Sequence, residues 1–139
     1  MYSISNKINI SKKAVLAKNT FINDETIPSV NTTFTCCSCG HENRIEITPY
    51  TSGFPILKVY QEDQVLSGNE LLKNGMVSET PQTMSHLGAL TVNNLPTLYF
   101  GTDCSSCHST YICIFSYGEK QPGLTTLNIS GIWEYEEQK

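Results

Sequence analysis

Apolar and polar residues alternate along much of this chain with the two-residue period of half-buried strands. Tyr2, Ile4, Ile8 and Ile10 fall on one face of an N-terminal strand. Ser11 stands where a helix cap would stand, so a short helical turn is expected over residues 14–18, although lysines at its start oppose the helix dipole. Val30–Thr35 reads as a β-branched strand, and residues 44–48 as its partner, with Ile45 and Ile47 on one face. The residues between them form the tip of a hairpin. Residues 49–55 are rich in turn formers, and residues 56–60 are expected to make another strand. The C-terminal third is more regular. Residues 97–102 lead to a second tip, and residues 111–117 leave it. Tyr111, Cys113, Phe115 and Tyr117 share one face there, with Ile112 and Ile114 on the other, the pattern of a central strand buried on both sides. A loop over 118–123 containing Pro122 then returns the chain along 124–135, with Leu127, Ile129, Trp133 and Tyr135 in one register.

Residues 61–96 have the weakest periodicity. Glu70-Leu71-Leu72-Lys73 fits a helical turn ended by Gly75. Asn74-Gly75 also fits a tight hairpin turn between Leu71-Leu72 and Met76-Val77, and the sequence leaves both open. Together the elements predict a mainly β fold, a small antiparallel-sheet domain with two cysteine-bearing hairpins. One domain is expected over 1–139, with 1–29 as an N-terminal arm or strand and 61–96 as a candidate insertion.

Composition agrees. A chain of 139 residues is long enough to bury a core. Only 16% of residues are charged, and the balance is made up by Thr, which suits strands, and by Ser and Asn, which suit turns. No run approaches the roughly 18 apolar residues that span a bilayer. The N-terminus also lacks the apolar stretch of a signal peptide. The expectation is a soluble cytoplasmic protein with no membrane partner. Asn31-Thr32-Thr33 and Asn128-Ile129-Ser130 match glycosylation acceptors, which matter only in a secreted chain.

The chemistry lies in the cysteines. Cys36 and Cys39 form one C-x-x-C pair, and Cys104 and Cys107 form another, each at an expected hairpin tip. A tight turn aims two thiolates at one point. Zinc takes four ligands in a tetrahedron, so two such turns complete a closed site. The expected metal ligands are therefore Cys36, Cys39, Cys104 and Cys107, around one structural zinc ion per chain. Gly40 follows the first pair where such turns need a positive φ, and His108 follows the second, histidine being among the residues that tolerate it.

These residues resemble the zinc-ribbon class, in which two knuckles on β-hairpins share one ion. The resemblance covers 33–47 and 98–114, and the 64 residues from 40 through 103 exceed the roughly 15–20 of compact ribbons. It implies a structural metal and a role in binding nucleic acid or protein. The formal net charge of −4, which four thiolates and one divalent ion would make more negative by two, argues against phosphate backbones. Lys7, Lys12, Lys13 and Lys18 do form a basic N-terminal stretch, while Glu134, Glu136 and Glu137 crowd the other end.

Other chemistries fit less well. Cys104-Ser105-Ser106-Cys107-His108 matches a c-type haem attachment, but that needs export and leaves the first pair unexplained. A thioredoxin-like pair sits at the start of a helix, whereas strands are expected after both pairs. Structural disulfides need an oxidising compartment. His41-Glu42-Asn43-Arg44-Ile45 lacks the second histidine of H-E-x-x-H, and the deaminase H-x-E is absent. Cys37 alternates away from Cys36 as an exposed thiol, and Cys113 reads as a small core residue. His41 or His108 could replace a cysteine ligand, His86 receives no assignment, and Phe115, Trp133 and Tyr135 read as core aromatics. The functional expectation is a non-enzymatic zinc-stabilised module that binds or assembles with a protein partner, through residues 61–96. The alternatives are a thiol or metal enzyme, or redox sensor, using Cys37, and a nucleic-acid-binding zinc ribbon.

Overall fold

The strand with apolar residues on both faces is the centre of the molecule. The computed structural model describes residues 1–26 and 28–138. In its first half lie β1 (Ile8–Lys13), β2 (Val15–Leu16), β3 (Thr20–Ile22), β4 (Val30–Thr35), β5 (Glu42–Ile47) and β6 (Phe54–Pro55). A short helix, α1 (Gly68–Lys73), precedes β7 (Ser78–Glu79), β8 (Leu90–Thr91), β9 (Thr97–Asp103), β10 (Thr110–Gln121) and β11 (Leu124–Glu137). The main sheet runs β1-β11-β10-β9-β6, and β3 pairs with the other end of the flank of β11 that β1 occupies. A second sheet, β2-β4-β5, is separate. All these pairings are antiparallel.

Each face of β10 feeds its own core. Tyr111, Cys113 and Phe115 meet Phe34, Ile45 and Ile47 of the second sheet. Ile112 and Ile114 meet Ile4, Ile8, Val65, Leu66, Leu71 and Met76 on the opposite side. Fully burying such side chains contributes about 1.5–3 kcal/mol each. The segment expected as a candidate insertion thus supplies a large part of one core. Its apolar residues are spaced irregularly because its elements are short and dissimilar: a π-helical turn Lys58–Glu62, helix α1 and the β7–β8 ribbon.

Several expectations need correction. Residues 14–18 are not helical. Val15 and Leu16 pair with Thr35 and Phe34, and the amide of Ala14 donates to the carbonyl of Ile132. Two sheets compete for these backbone groups, and a helix opened by lysines has little to set against them. Tyr2, Ile4, Ile8 and Ile10 do pack on one core, but only from Ile8 onward as a strand. Tyr2 reaches Gly101 by a single bridge, its ring lying where any Cβ on Gly101 would be. Residues 56–60 run into the π-helical turn rather than a strand. The 118–123 loop shrinks to Pro122-Gly123, because β10 extends to Gln121.

At 70–75 the helix prevails over the hairpin. Ser67 and Glu70 form a reciprocal capping box, which fixes the start of α1. The register of β11 also breaks. Ile114 faces Gly131 and Phe115 faces Ile129, so Ser130 is a bulge. The extra residue moves Trp133 and Tyr135 to the face opposite Leu127 and Ile129.

The basic stretch and the acidic end lie side by side. Lys12 is opposite Glu134 across β1 and β11, and the Lys13 ammonium lies 5.3 Å from the Trp133 ring centroid. Lys7 pairs with Glu70 at 3.3 Å, and Lys18 pairs with Glu25. Among the described residues, no helix is long and apolar enough to cross a membrane.

Candidate metal centre

The β4–β5 and β9–β10 hairpins carry turns closed by the same hydrogen bonds. In the first, the amide of Gly40 donates to the carbonyl of Cys36, and the amide of Cys36 donates to the carbonyl of His41, at 3.0 and 2.9 Å. In the second, His108 donates to Cys104 and Cys104 to Ser109, both at 2.9 Å. Gly40 and His108 occupy the left-handed region at φ +76° and +65°, as their positions predict. The first cysteine of each turn is buried and the second exposed.

The turns converge. The sulfurs of Cys36, Cys39, Cys104 and Cys107 all lie within 4.8 Å of one another. The cross-turn pairs Cys36–Cys107 and Cys39–Cys104 stand at 3.5 and 3.6 Å. A tetrahedron with metal–sulfur bonds of about 2.3 Å has edges of about 3.8 Å, so four thiolates at these spacings fit a single ion. Strands rather than helices leave both turns, unlike a thioredoxin-type pair.

Each hairpin also serves the buried thiol of the other. Tyr111 of β10 donates its hydroxyl to Cys36 Sγ at 3.2 Å and accepts the amide of Cys37 at 2.8 Å. Asn43 of β5 donates Nδ2 to Cys104 Sγ at 3.4 Å, while its Oδ1 accepts the amide of Ser105 at 2.9 Å. Asn43 and Tyr111 thus make the same two contacts on opposite turns. Both stand seven residues after the first cysteine of their own pair. Sequence reasoning passed over both roles, and that matched spacing was the available signal. Glu134 joins the network, accepting from Ser38 Oγ at 2.8 Å, with its Oε2 3.3 Å from the Tyr111 hydroxyl.

The donors act on the sulfur charges. Burial opposes ionisation of Cys36, but the Tyr111 hydroxyl and the amides of Cys39 and Ser38 outweigh it and bring the thiol down to about 6. Burial likewise opposes ionisation of Cys104, and the Cys107 amide and Asn43 side chain prevail. The His41 amide favours the Cys39 thiolate, yet burial and the neighbouring thiols push it up to about 11. Four crowded sulfurs cannot all hold negative charge by themselves. A divalent cation between them removes the conflict.

The remaining candidates stay outside the cluster, which comprises the four cysteines alone. His41 and His108 are exposed at the turns, and His86 is exposed in the short 3-10 segment Gln82–Leu87. Cys37 is half-buried, and Cys113 lies in the core shared with Phe34, where burial pushes its thiol up. All six cysteines are free thiols. Cys37→Ser is accordingly expected to keep the full metal complement. Cys113→Ala should keep it too, while losing about 1 kcal/mol of stability, as a truncated core residue does. Metal analysis and denaturant melts of both variants check this, and metal loss in Cys37→Ser but not in Cys36→Ser would overturn the pairing. Compared with protein-family models, curated proteins and solved structures, the chain gives no match in any of the three.

Proposed function

We propose that the chain is a non-enzymatic module in which Cys36, Cys39, Cys104 and Cys107 hold one structural zinc ion, as in a zinc ribbon, and whose surface binds a protein partner. The observation that carries this reading is the pair of identically closed turns bringing four sulfurs within 4.8 Å. Four thiolates fill the coordination shell of zinc and leave no position for water or substrate, so the ion serves as scaffold. Free thiols at such a site suit the reducing cytoplasm.

A protein partner fits better than nucleic acid. The net charge is −4, and Lys7 and Lys18 are paired with carboxylates of the chain itself. The proposed contact surface is the outer side of residues 61–96. There Glu62, Gln64 and Glu79 are exposed, while Val65, Leu66, Leu71 and Met76 anchor the segment in the core. Loops held by a rigid scaffold commonly carry binding surfaces.

Elemental analysis of protein purified without chelator is expected to give one equivalent of zinc per chain. Iron in its place, or no metal, would overturn the zinc assignment. Purification from native cells should recover a partner. Joint replacement of Glu62, Gln64 and Glu79 by alanine should then weaken its capture at unchanged zinc content and melting temperature. Loss of capture in Cys37→Ser instead would favour the thiol-based alternative.

A further inference from the structure

The end of the main sheet remote from the cysteine turns holds a cleft of about 650 Å³. That lies within the roughly 300–1,000 Å³ of small-molecule sites. Its lining is mainly apolar, with Phe115 and Leu98 from β10 and β9, and Leu87 and Met84 from the 3-10 segment. Two tyrosines stand at it. Tyr117 follows Phe115 on the same face of β10, and Tyr50 meets Tyr117 edge to face, with centroids 5.0 Å apart and ring planes at 86°.

Tyr50 is costly for the isolated chain. It is 90% exposed, and its φ of +65° is a conformation that bulky L-residues avoid. The turn enforces that conformation. The amides of Thr51 and Ser52 both donate to the carbonyl of Thr48, and the Ser52 hydroxyl accepts the amide of Thr48. An exposed aromatic side chain on a strained backbone adds little to the core, and such strain collects at ligand clamps. Asn94, also lining the cleft, is left-handed as well, at φ +55°.

The charge of the cleft narrows the ligand. Among the described residues Glu119 is the only carboxylate lining it, His86 lines it as well, and no lysine or arginine does. Glu119 Oε1 accepts the amide of Gly123, and its other oxygen has no protein hydrogen bond among the described residues. Perpendicular aromatic faces attract a cation through the ring quadrupole, and a nearby carboxylate adds direct attraction. We propose that this cleft binds an organic cation with an apolar body, its ammonium group lying against Tyr50 and Tyr117 near Glu119. The assignment does not rest on the metal centre, and its test leaves the zinc content as a separate measurement.

The test uses the metal-loaded full chain and three probes followed by NMR: benzyltrimethylammonium, neutral benzyl alcohol and anionic phenylacetate. Saturable shifts at Tyr50, Tyr117 and Glu119 are expected with the cation, at least tenfold tighter than with the alcohol, and none with the anion. Glu119→Gln should reduce the preference for the cation over the alcohol. Tyr50→Gly, which relieves the strained φ, should lose cation binding while its melting temperature holds or rises. Equal binding of all three probes, shifts confined to other residues, or unchanged cation binding in Tyr50→Gly would overturn the proposal. A tetrapeptide carrying trimethyllysine supplies the same cation from a protein. Tighter binding of the peptide would identify a protein side chain as the source, and tighter binding of benzyltrimethylammonium a free small molecule. Either result at the cleft supports the site.

Discussion

Cys104→Ser should lose its metal and with it the cooperative unfolding transition of the intact protein. Cys104 is buried, its Sγ accepts from Asn43 Nδ2, and it stands 3.6 Å from the Cys39 sulfur. A serine oxygen there leaves a three-thiolate site and forfeits the soft ligand that zinc favours. Structural zinc contributes apparent binding energies of about 10–16 kcal/mol, against a whole-domain stability of about 5–15 kcal/mol. The effect is large here because the site ties together strands otherwise held in separate sheets: β4 and β5 belong to one, β9 and β10 to the other. Elemental analysis and a thermal melt followed by circular dichroism check the outcome. A well-folded Cys104→Ser protein without metal would remove the basis of the zinc reading.

The clustering of the four cysteines was legible because its signal is local. Two cysteines at a turn, followed by Gly40 or His108, carry the geometry within five residues. The central strand was legible for a similar reason, since alternation over residues 111–117 needs only a regular backbone. The face of Trp133 was misread because one bulge at Ser130 inverts every later position, and nothing in a two-residue period announces it. Leu71 and Met76 were missed as core because their helix and turn share no period with the strands they cover. Tyr111 was placed on the correct face, but its hydroxyl acts on a sulfur of the other hairpin, a contact that forms only on folding. Asn43 is the more instructive omission. It shares the buried face of β5 with Ile45 and Ile47, and an amide at an apolar position implies a partner inside.

Asn43→Asp is expected to weaken metal binding far more than Asn43→Ala, although aspartate is nearly the same shape. The carboxylate keeps the acceptor for the Ser105 amide. It loses the N–H donor to Cys104 Sγ and places a negative charge where Nδ2 now lies, 3.4 Å from that sulfur. Loss of such a supporting contact alone typically costs 10–100-fold in metal affinity, which is the effect expected of alanine. Two like charges about 4 Å apart in a partly screened site repel by about 4 kcal/mol. Aspartate should therefore fall below alanine by a further tenfold or more. Competition with a chromophoric chelator at neutral pH measures both constants, and a melt of the zinc-saturated proteins shows whether each still folds. Equal affinity of the aspartate and wild-type proteins would mean that the Asn43 side chain does not act on the sulfur charge. If alanine were as damaging as aspartate, loss of the N–H donor to Cys104 Sγ, common to both variants, would outweigh the added charge.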